Sequence, residues 1–453
     1  MDYDVAEETL RHVSQYNLLN AQQRAIYESV LDSVDKKDGK LFFVHGARGT
    51  GKTVHGAGGT RKTFLYQTII SRLRSRKQIV LPVASSGIAA LLLPNGKTAH
   101  SRFNITLKLD EDKLCKIKPG GDFRQILPVV PQGSSADTVL ASISYSYLRN
   151  TCHKFPVMTN MRVNQDEKEF SDWLLKVGEG RPQSEQEDED DGYQDQILTV
   201  DPSLVQETKD ESLKQVVDAA YGDVNQIEAS QSSYTDKAIL TPRNDTVDEI
   251  NAYIISQTDG ESKDYYSYDS FEVSETQSNQ NDTLYAIEYL NSMEFPGLPS
   301  HKLTLKVGAP IMLLRNINQT KGLCNGTRMI LTHIDERVLK ADIITGLHTG
   351  NEVLIPRIVL LHGDTKLPFT LRRRQFPIRL CYAMTINKSQ GQSLKDVILY
   401  LPRPVFAHGQ LYVALSRITS KAGLKIIKGE DSQTKSEEHS LQRNFQPPTF
   451  PRV

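Results

Sequence analysis

The chain has 453 residues, with 24% charged side chains and a formal net charge of −1. A chain of this length is expected to contain two or more domains with cores of their own. Its four cysteines lack metal-ligand spacing, which argues against structural zinc and favours a reducing compartment. The N-terminus is acidic and no long apolar run exists, so we expect neither a signal peptide nor a transmembrane helix, and a soluble protein.

The charges are unevenly distributed along the chain. Residues 361–428 carry twelve Lys and Arg against two acids, whereas residues 185–229 carry fourteen acids against two lysines. A basic surface of this kind can meet a phosphate backbone, although a solvated charged face would give the same count.

A helix is predicted ahead of the first strand. It opens at residues 19–24, and its apolar residues recur at helical spacing through Leu31. Gln23 lies near its start. An amide donates and accepts hydrogen bonds at once, so Gln23 could read the edge of an adenine, or it could be an ordinary solvated side chain.

A phosphate-binding pattern follows the first predicted strand. Residues 41–44 are apolar, as in a short buried strand, and residues 65–73 have the spacing of an amphipathic helix. Between them, residues 46–53 read GARGTGKT, a full match to G-x-x-x-x-G-K-S/T. In such a loop, backbone N–H groups surround phosphate oxygens, the lysine reaches the terminal phosphates and the threonine hydroxyl binds Mg²⁺. The sequence therefore predicts a nucleoside-triphosphate site.

The phosphate-binding loop is duplicated in tandem. Residues 44–53 (VHGARGTGKT) are followed at once by residues 54–63 (VHGAGGTRKT), so the predicted strand belongs to the first copy and the helix to the second. If the first copy binds, its helix must contain three glycines, each costing ~1 kcal/mol in a helix interior. If the second copy binds, the Arg61 side chain crowds the backbone approach to phosphate. We favour the first copy and keep the second as the alternative; the candidates are Gly46, Gly49, Gly51, Lys52, Thr53, Lys62 and Thr63.

Strands and helices then alternate, which is typical of a parallel α/β sheet. We expect a buried strand at residues 79–84, a helix at 88–93, and a further helix around residues 170–175. The polar, acidic range 181–233 is predicted to be a partly mobile linker. A second α/β pattern begins at residue 238 with a helix at 245–255, and residues 258–284 look loop-like.

The second half contains a small predicted β unit. Alternating apolar residues separated by glycine turns place it at about residues 302–376. The chain then returns to α/β, with a strand at 396–400 and a helix at 407–417, and residues 431–453 are predicted to be a disordered tail.

Several blocks together resemble the Pif (petite integration frequency) family of ATP-dependent DNA helicases, most of all its plant members and the related helicases of rolling-circle transposons. The resemblance spans about residues 17–430. The matching blocks are LNAQQRAIY, FFVHGARGTGKT, VASSGIAALLLPNGKTAHSRF, GGDFRQILPVVPQGS, TNMR, ILTPRND, GAPIMLLRNINQTKGLCNGTR, CYAMTINKSQGQSL and QLYVALSR.

The resemblance implies two RecA-like domains that bind ATP and Mg²⁺ between them and move 5′→3′ along single-stranded DNA, with duplex junctions as further partners. By this resemblance Gln23 contacts adenine, Lys52 and Thr53 hold the phosphates and Mg²⁺, and Gln125 senses the γ-phosphate. Arg162 and Arg417 act as arginine fingers, a role that suits a permanently charged, bidentate guanidinium. Each of these also has an ordinary reading as an ion-pair or turn residue. The DNA side is expected to contain His100, Ser101, Lys388, Ser389 and Gln390.

One expected feature of the family is missing. A strand ending in Asp-Glu should separate the Thr-Ala-His block from the Gly-Gly-Asp block, supplying a metal ligand and the group that activates water. Only residues 104–119 lie there, and their Asp110-Glu111 pair follows a stretch too polar and too short for a buried strand. We expect reduced nucleotide affinity and very slow hydrolysis, because the general base and a metal ligand are lost.

The sequence thus predicts an α/β protein with two RecA-like domains, the first missing a strand. The predicted boundaries are 1–180 and 234–430, with the acidic linker between them and the β unit inserted in the second domain. The resemblance implies ATP-dependent DNA unwinding in repair, recombination and telomere maintenance, in the nucleus or the mitochondrion. A catalytically dead nucleotide- and DNA-binding remnant, or an ATPase acting on protein, are the alternatives.

Overall fold

The computed structural model of the protein describes most of the chain. The described residues are 3–46, 61–84, 87–103, 151–157, 168–179, 197–199, 201–207, 212–224, 234–272, 285–346, 348–363, 367, 369–390, 392, 394–403, 405, 409–418, 420–429 and 440–442. Within them the chain forms two compact units, Met1–Val216 with Asp236–Thr246 and Met384–Val453, and Val217–Thr235 with Val247–Ala383.

The first part of the chain alternates helices with short strands. Its elements are α1 (Val5–Tyr16), α2 (Ala21–Lys36), β1 (Leu41–Gly46), α3 (Arg61–Ser75), β2 (Val83–Ala84), α4 (Gly87–Leu91), β3 (Lys97–Thr98), α5 (Ala99–Phe103), β4 (Cys152–Val157) and α6 (Lys168–Glu179). Strands β1 and β4 pair in parallel, and so do β2 and β3.

Helices α2 and α3 form a core with the β1–β4 pair. Buried Ile26 and Leu31 of α2 and Leu65 of α3 form its centre, and half-buried Val44 and Phe155 pack against them from the two strands. The apolar residues of both helices recur at helical spacing, so each helix buries one face and leaves the other to solvent.

The predicted strand at residues 79–84 is shorter in the structure. Only Val83–Ala84 pairs, while Ile79 and Leu81 are 84% and 51% exposed. Pro82 lies within the stretch and has no N–H to donate, and its carbonyl accepts the backbone N–H of Lys97. The apolar run therefore predicted a longer strand than the two residues that pair.

The remaining elements build a second parallel sheet and the β-rich unit. They are β5 (Ile197–Thr199), β6 (Val205–Glu207), α7 (Ser212–Tyr221), β7 (Lys237–Thr241), α8 (Asn244–Gln257), β8 (Lys263–Tyr266), β9 (Tyr268–Glu272), α9 (Ile287–Ser292), β10 (Lys302–Leu305), β11 (Pro310–Leu313), β12 (Arg328–Ile334), β13 (Val338–Ile343), β14 (Glu352–Pro356), β15 (Ile358–Gly363), β16 (Thr370–Gln375), β17 (Ile378–Leu380), β18 (Ala383–Thr385), β19 (Asp396–Leu401), α10 (Gln410–Leu415), β20 (Leu424–Lys428) and β21 (Ser440–Gln442).

The second parallel sheet has the strand order β18-β7-β19-β20-β6. Strand β19 pairs in parallel with β7 and β20, and β20 with β6. Ile239, Leu240, Val397 and Ile426 are fully buried, because strands covered on both faces are apolar throughout rather than alternating. Helix α10 is buried on all sides, as its all-apolar centre predicts.

Parts of the predicted linker and tail are structured. Strand β6 joins the edge of the second sheet, and β5 pairs with β21 from the predicted tail. Buried Leu204 and Val216 explain the difference, since apolar residues lie among the acids that dominated the composition. The linker and tail predictions therefore do not hold for these residues.

The second compact unit is rich in antiparallel strands. It contains a five-stranded sheet of order β14-β13-β12-β11-β17 and a three-stranded sheet of order β15-β16-β9, and β10 pairs with β8. The range 258–284, predicted to be loop-like, supplies β8 and β9. Tyr265 and Phe271 face inward there, and this short apolar alternation was hidden among Ser and Asp.

Candidate nucleotide and DNA-binding site

The phosphate-binding pattern has the strand and helix that it requires. Strand β1 ends at Gly46 and α3 begins at Arg61. The expectation that the first copy supplies the strand and the second the helix is thereby confirmed. Lys62 and Thr63 lie in the first turn of α3, where orphan backbone N–H groups favour anions.

Several predicted site residues lie outside the described part of the chain. These are Gly49, Gly51, Lys52, Thr53, Gln125 and Arg162, together with residues 104–119, where the Asp-Glu strand is missing. His100 and Ser101 lie on the short helix α5 directly after β3. The nucleotide and DNA roles of all of these residues stay predictions.

Gln23 forms a capping box at the start of α2. Its backbone N–H donates to Asn20 Oδ1 at 2.8 Å, and its own Oε1 accepts the Asn20 N–H at 3.1 Å. The Gln23 side chain is buried and held in one orientation by these bonds. The sequence signal for this role was the Asn-x-x-Gln spacing; adenine recognition remains a prediction.

Arg417 lies fully buried at the end of α10. Its Nε donates to the Val413 carbonyl at 2.6 Å, and its Nη1 donates to the carbonyls of Ser389 and Gln392, each at 3.2 Å. The Nη2 donates to Ser416 Oγ at 2.8 Å. We call this set of bonds the Arg417 clasp. Since the guanidinium is committed to protein oxygens, contact with a phosphoryl group would need these bonds to rearrange.

The Lys388–Gln390 block lies on the other side of this clasp. Residues Ile386–Ser389 form a 3-10 turn in which buried Ser389 Oγ donates to the Ile386 carbonyl at 2.7 Å. Gln390 is exposed and Lys388 is half-buried. The block thus carries two polar side chains on a turn whose backbone is held by hydrogen bonds to the Ile386 and Ser389 carbonyls.

Two residues that the sequence reasoning missed strengthen this junction. Gln410 Nε2 donates to Asn387 Oδ1 at 3.0 Å, and Gln410 is fully buried at the start of α10. A lone amide opening an otherwise apolar helix was the available signal, because buried amides need partners.

The described residues do not form a complete metal site. Among the described residues, no cluster of three His, Cys, Asp or Glu side chains could hold a metal ion. Mg²⁺ prefers several oxygen ligands with carboxylates among them, and the hydroxyl of Thr63 alone does not meet that need. Across the same residues, no helix is long and apolar enough to cross a membrane.

Two stretches of the chain match models of known protein families. Residues 18–120 and 119–188 match the family model of the PIF1-like helicases, and residues 288–334 match that of the 2B domain of the DNA helicase Pif1. These stretches of the chain are similar to the PIF1-like helicases and to the 2B domain of Pif1. The match includes β1, α3 and both copies of the phosphate-binding pattern.

Two vertebrate DNA helicases match about a third of the chain. The chain is 34% identical over 143 residues to the ATP-dependent DNA helicase PIF1 of Xenopus laevis, which is 32% of this chain and 22% of that protein. The human protein is 36% identical over 140 residues, 28% of this chain and 20% of its own length. The aligned part therefore spans about a fifth of these relatives.

A more distant relative aligns along almost the whole chain. The ATP-dependent DNA helicase PIF1 of Emericella nidulans is 24% identical over 519 aligned positions, covering 92% of this chain and 62% of that protein. The alignment is longer than the 453-residue chain, so part of the relative has no counterpart here.

Solved PIF1-family structures share the fold. Pif1 helicase from Candida albicans superposes with a TM-score of 0.56 at 20% identity, covering 93% of this chain and 96% of that one. Bacteroides Pif1 bound to single-stranded DNA gives a TM-score of 0.54 at 18% identity, covering 90% and 92%. The fold is the two-domain RecA-like α/β fold, as the sequence predicted.

Proposed function

We propose that this chain is an ATP-dependent 5′→3′ DNA helicase of the Pif type, closest to the plant and rolling-circle-transposon subtype, in which hydrolysis is impaired. Its partners are ATP with Mg²⁺, single-stranded DNA and duplex junctions. Its processes are DNA repair, recombination and telomere maintenance, in the nucleus or the mitochondrion.

The Arg417 clasp is the observation that carries this proposal. It joins helix α10, two residues ahead of the predicted arginine finger, to the turn that presents Lys388 and Gln390. A helicase must couple a change at the nucleotide to a change at DNA. One buried guanidinium bonded to both elements is a direct physical route for that coupling, because movement of Arg417 displaces the carbonyl of Ser389.

The nucleotide side rests on the strand, loop and helix of the phosphate-binding pattern. The first copy keeps both loop glycines before its lysine, whereas the second places Lys62 in the first turn of α3. We keep the first copy as the phosphate-binding copy, with Lys52 on the terminal phosphates. Lys62 is the alternative, supported by its position at the helix N-terminus.

Impaired hydrolysis follows from the missing Asp-Glu strand. Without a carboxylate to orient water and complete the metal shell, the transfer step loses general-base and metal assistance. Binding of nucleotide and DNA does not depend on those carboxylates to the same degree.

The proposal is tested by ATP hydrolysis and DNA binding of the full chain. We expect single-stranded DNA binding, measurable ATP binding and slow turnover that DNA stimulates. DNA binding without turnover would instead establish the remnant, and turnover indifferent to DNA would favour an ATPase acting on protein.

The two loop copies are separated by Lys52→Ala and Lys62→Ala. The lysine that holds phosphate should lose ATP affinity by about tenfold or more when replaced, since a charged hydrogen bond is worth roughly 1.5–3 kcal/mol. Arg72→Ala, on the same helix but in its last turn, is the control. Unchanged ATP affinity in both lysine variants would reject both copies.

A further inference from the structure

The three-stranded sheet β15-β16-β9 has one face covered and one face open. In its register, Val359 lies opposite Arg374, which lies opposite Tyr268, and Leu361 lies opposite Arg372. Tyr268 is 73% exposed, Leu361 56% and Val359 49%. We call this surface the outer face. Its members on the strands are Val359, Leu361, Arg372, Arg374 and Tyr268. Half-buried Arg357, immediately before β15, is counted with them.

The opposite face of the same strands is rigidly packed. Arg373 and Asp269 are both fully buried, and their closest contact, from Arg373 Nη2 to Asp269 Oδ2, is 2.8 Å. Arg373 also donates to the carbonyls of Pro299 and Leu290. Since neighbouring strand residues point to opposite faces, this buried pair fixes Arg372 and Arg374 outward.

The outer face carries more positive charge than its neighbours neutralise. Arg372 pairs with Glu272. Within the described residues, neither Arg357 nor Arg374 has an ion-pair partner. Burial lowers the pKa of Arg357, Tyr265 raises it, and the positive charge of Arg374 lowers it further. An anion bound at this face would be attracted by both positive charges.

Arg357 is also preorganised by its surroundings. Its Nη1 donates to the Tyr266 carbonyl at 2.7 Å, and its guanidinium lies 4.9 Å from the centre of the Phe376 ring. Contact of this kind with an aromatic ring holds the planar group in place. The ordering cost of binding is correspondingly reduced.

We propose that the outer face is a second contact surface for single-stranded nucleic acid, in which the Tyr268 ring stacks on a base while Arg357 and Arg374 bind phosphates. Exposed aromatic rings beside arginines on a sheet are the usual means of holding unpaired bases. An acidic peptide would satisfy the arginines but would leave the Tyr268 ring and its apolar neighbours without a matching flat surface. The inference rests on the proposed function, and it adds a surface from a compact unit other than the one holding Lys388.

The test measures binding of the nucleotide-free full chain to a fluorescent deoxythymidine oligomer across salt concentrations. Tyr268→Ala should weaken binding by about five- to a hundredfold, as loss of one stacked base does, and Tyr268→Phe should restore it. Arg374→Ala should weaken binding and reduce the salt slope by about one, whereas Arg374→Lys should keep the slope.

The matched controls are Tyr289→Ala and Arg337→Ala, which remove an exposed ring and an exposed charge elsewhere in the same unit. Both should bind as the wild type does. Poly-glutamate serves as the probe for an acidic peptide. The outer-face proposal would be overturned, and the proposed function left standing, if Tyr268→Ala and Arg374→Ala bound the oligomer as the wild type does, or if they lost only binding to poly-glutamate. A wild-type chain that binds no single-stranded DNA would overturn the proposed function itself.

Discussion

In the second parallel sheet, Leu240 and Val397 are fully buried, whereas Val44 of β1 is only half-buried. The first region compensates with polar contacts, since buried Arg74 of α3 donates to Glu8 of α1 at 3.1 Å and to the Pro94 carbonyl at 3.0 Å. The second sheet is thus stabilised mainly by apolar strands, whereas the first region combines a smaller apolar core with an ion pair between helices. Buried charges tolerate the loss of a partner poorly, so the first region should be the easier one to break.

The largest effect is expected from Glu8→Ala. The variant leaves the Arg74 charge buried without its carboxylate, which costs about 3–5 kcal/mol. Urea unfolding followed by circular dichroism and by the fluorescence of Trp173, the single tryptophan, measures the loss. Glu7→Ala is the control, because the Glu7–Arg11 pair is exposed and should change stability by less than ~1 kcal/mol. Equal losses in both variants would show that the first region does not depend on the buried pair.

A matched pair of valines compares the two sheets directly. Val397→Ala should cost about 2–3 kcal/mol, because it removes two methyl groups from a filled, fully buried site. Val44→Ala removes the same atoms from a half-buried site and should cost about 1 kcal/mol or less. Circular dichroism and Trp173 fluorescence in urea measure both. A larger cost at Val44 would reverse the comparison.

The contrast also explains what could be read from the chain alone. Strands such as Asp396–Leu401 and the helix Lys168–Glu179 were predictable, because apolar periodicity and burial agree there. The Arg417 clasp was not, since backbone carbonyls of Ser389 and Gln392 leave no trace in side-chain chemistry. The edge strand Val205–Glu207 was masked by surrounding acids, as composition reports an average and pairing depends on single residues.

A tyrosine cluster makes the stability of the β-rich unit depend on pH in the alkaline range. Burial raises the pKa of Tyr234 to about 12 and also raises the pKa values of Tyr221 and Tyr382. A folded pKa above the unfolded value of roughly 10 means that the stabilisation is complete below pH 10 and is lost as pH rises toward 12.

Tyr234→Phe should therefore lose about 1 kcal/mol less stability than the wild type between pH 8 and pH 11. Urea titrations followed by circular dichroism at both pH values measure the difference. Tyr268→Phe is the control, because Tyr268 is 73% exposed and should behave as the wild type does. An identical alkaline loss in Tyr234→Phe and the wild type would mean that Tyr234 ionises as easily folded as unfolded.

The smallest effect is expected at the edge of the second sheet. Asp201 lies ahead of β6 and contacts Lys421, the first residue of the 3-10 turn before β20. The Oδ1 of Asp201 also accepts the Ser203 N–H at 2.9 Å. The hydrogen bonds from Lys421 and Ser203 lower the pKa of Asp201. Its stabilisation is therefore present above its unfolded pKa of roughly 4 and is lost as pH falls below it.

Asp201→Asn should lower the urea midpoint slightly at pH 7 and by less at pH 3, because exposed ion pairs contribute little and part of the stabilisation is already lost below the unfolded pKa. Glu249→Gln removes an exposed charge from the helix Asn244–Gln257 and is the control at both pH values. If Asp201→Asn instead destabilised the chain as much as Val397→Ala, the edge strand would be held by this ion pair. The second sheet would then depend on charge as the first region does, and the comparison between them would fail.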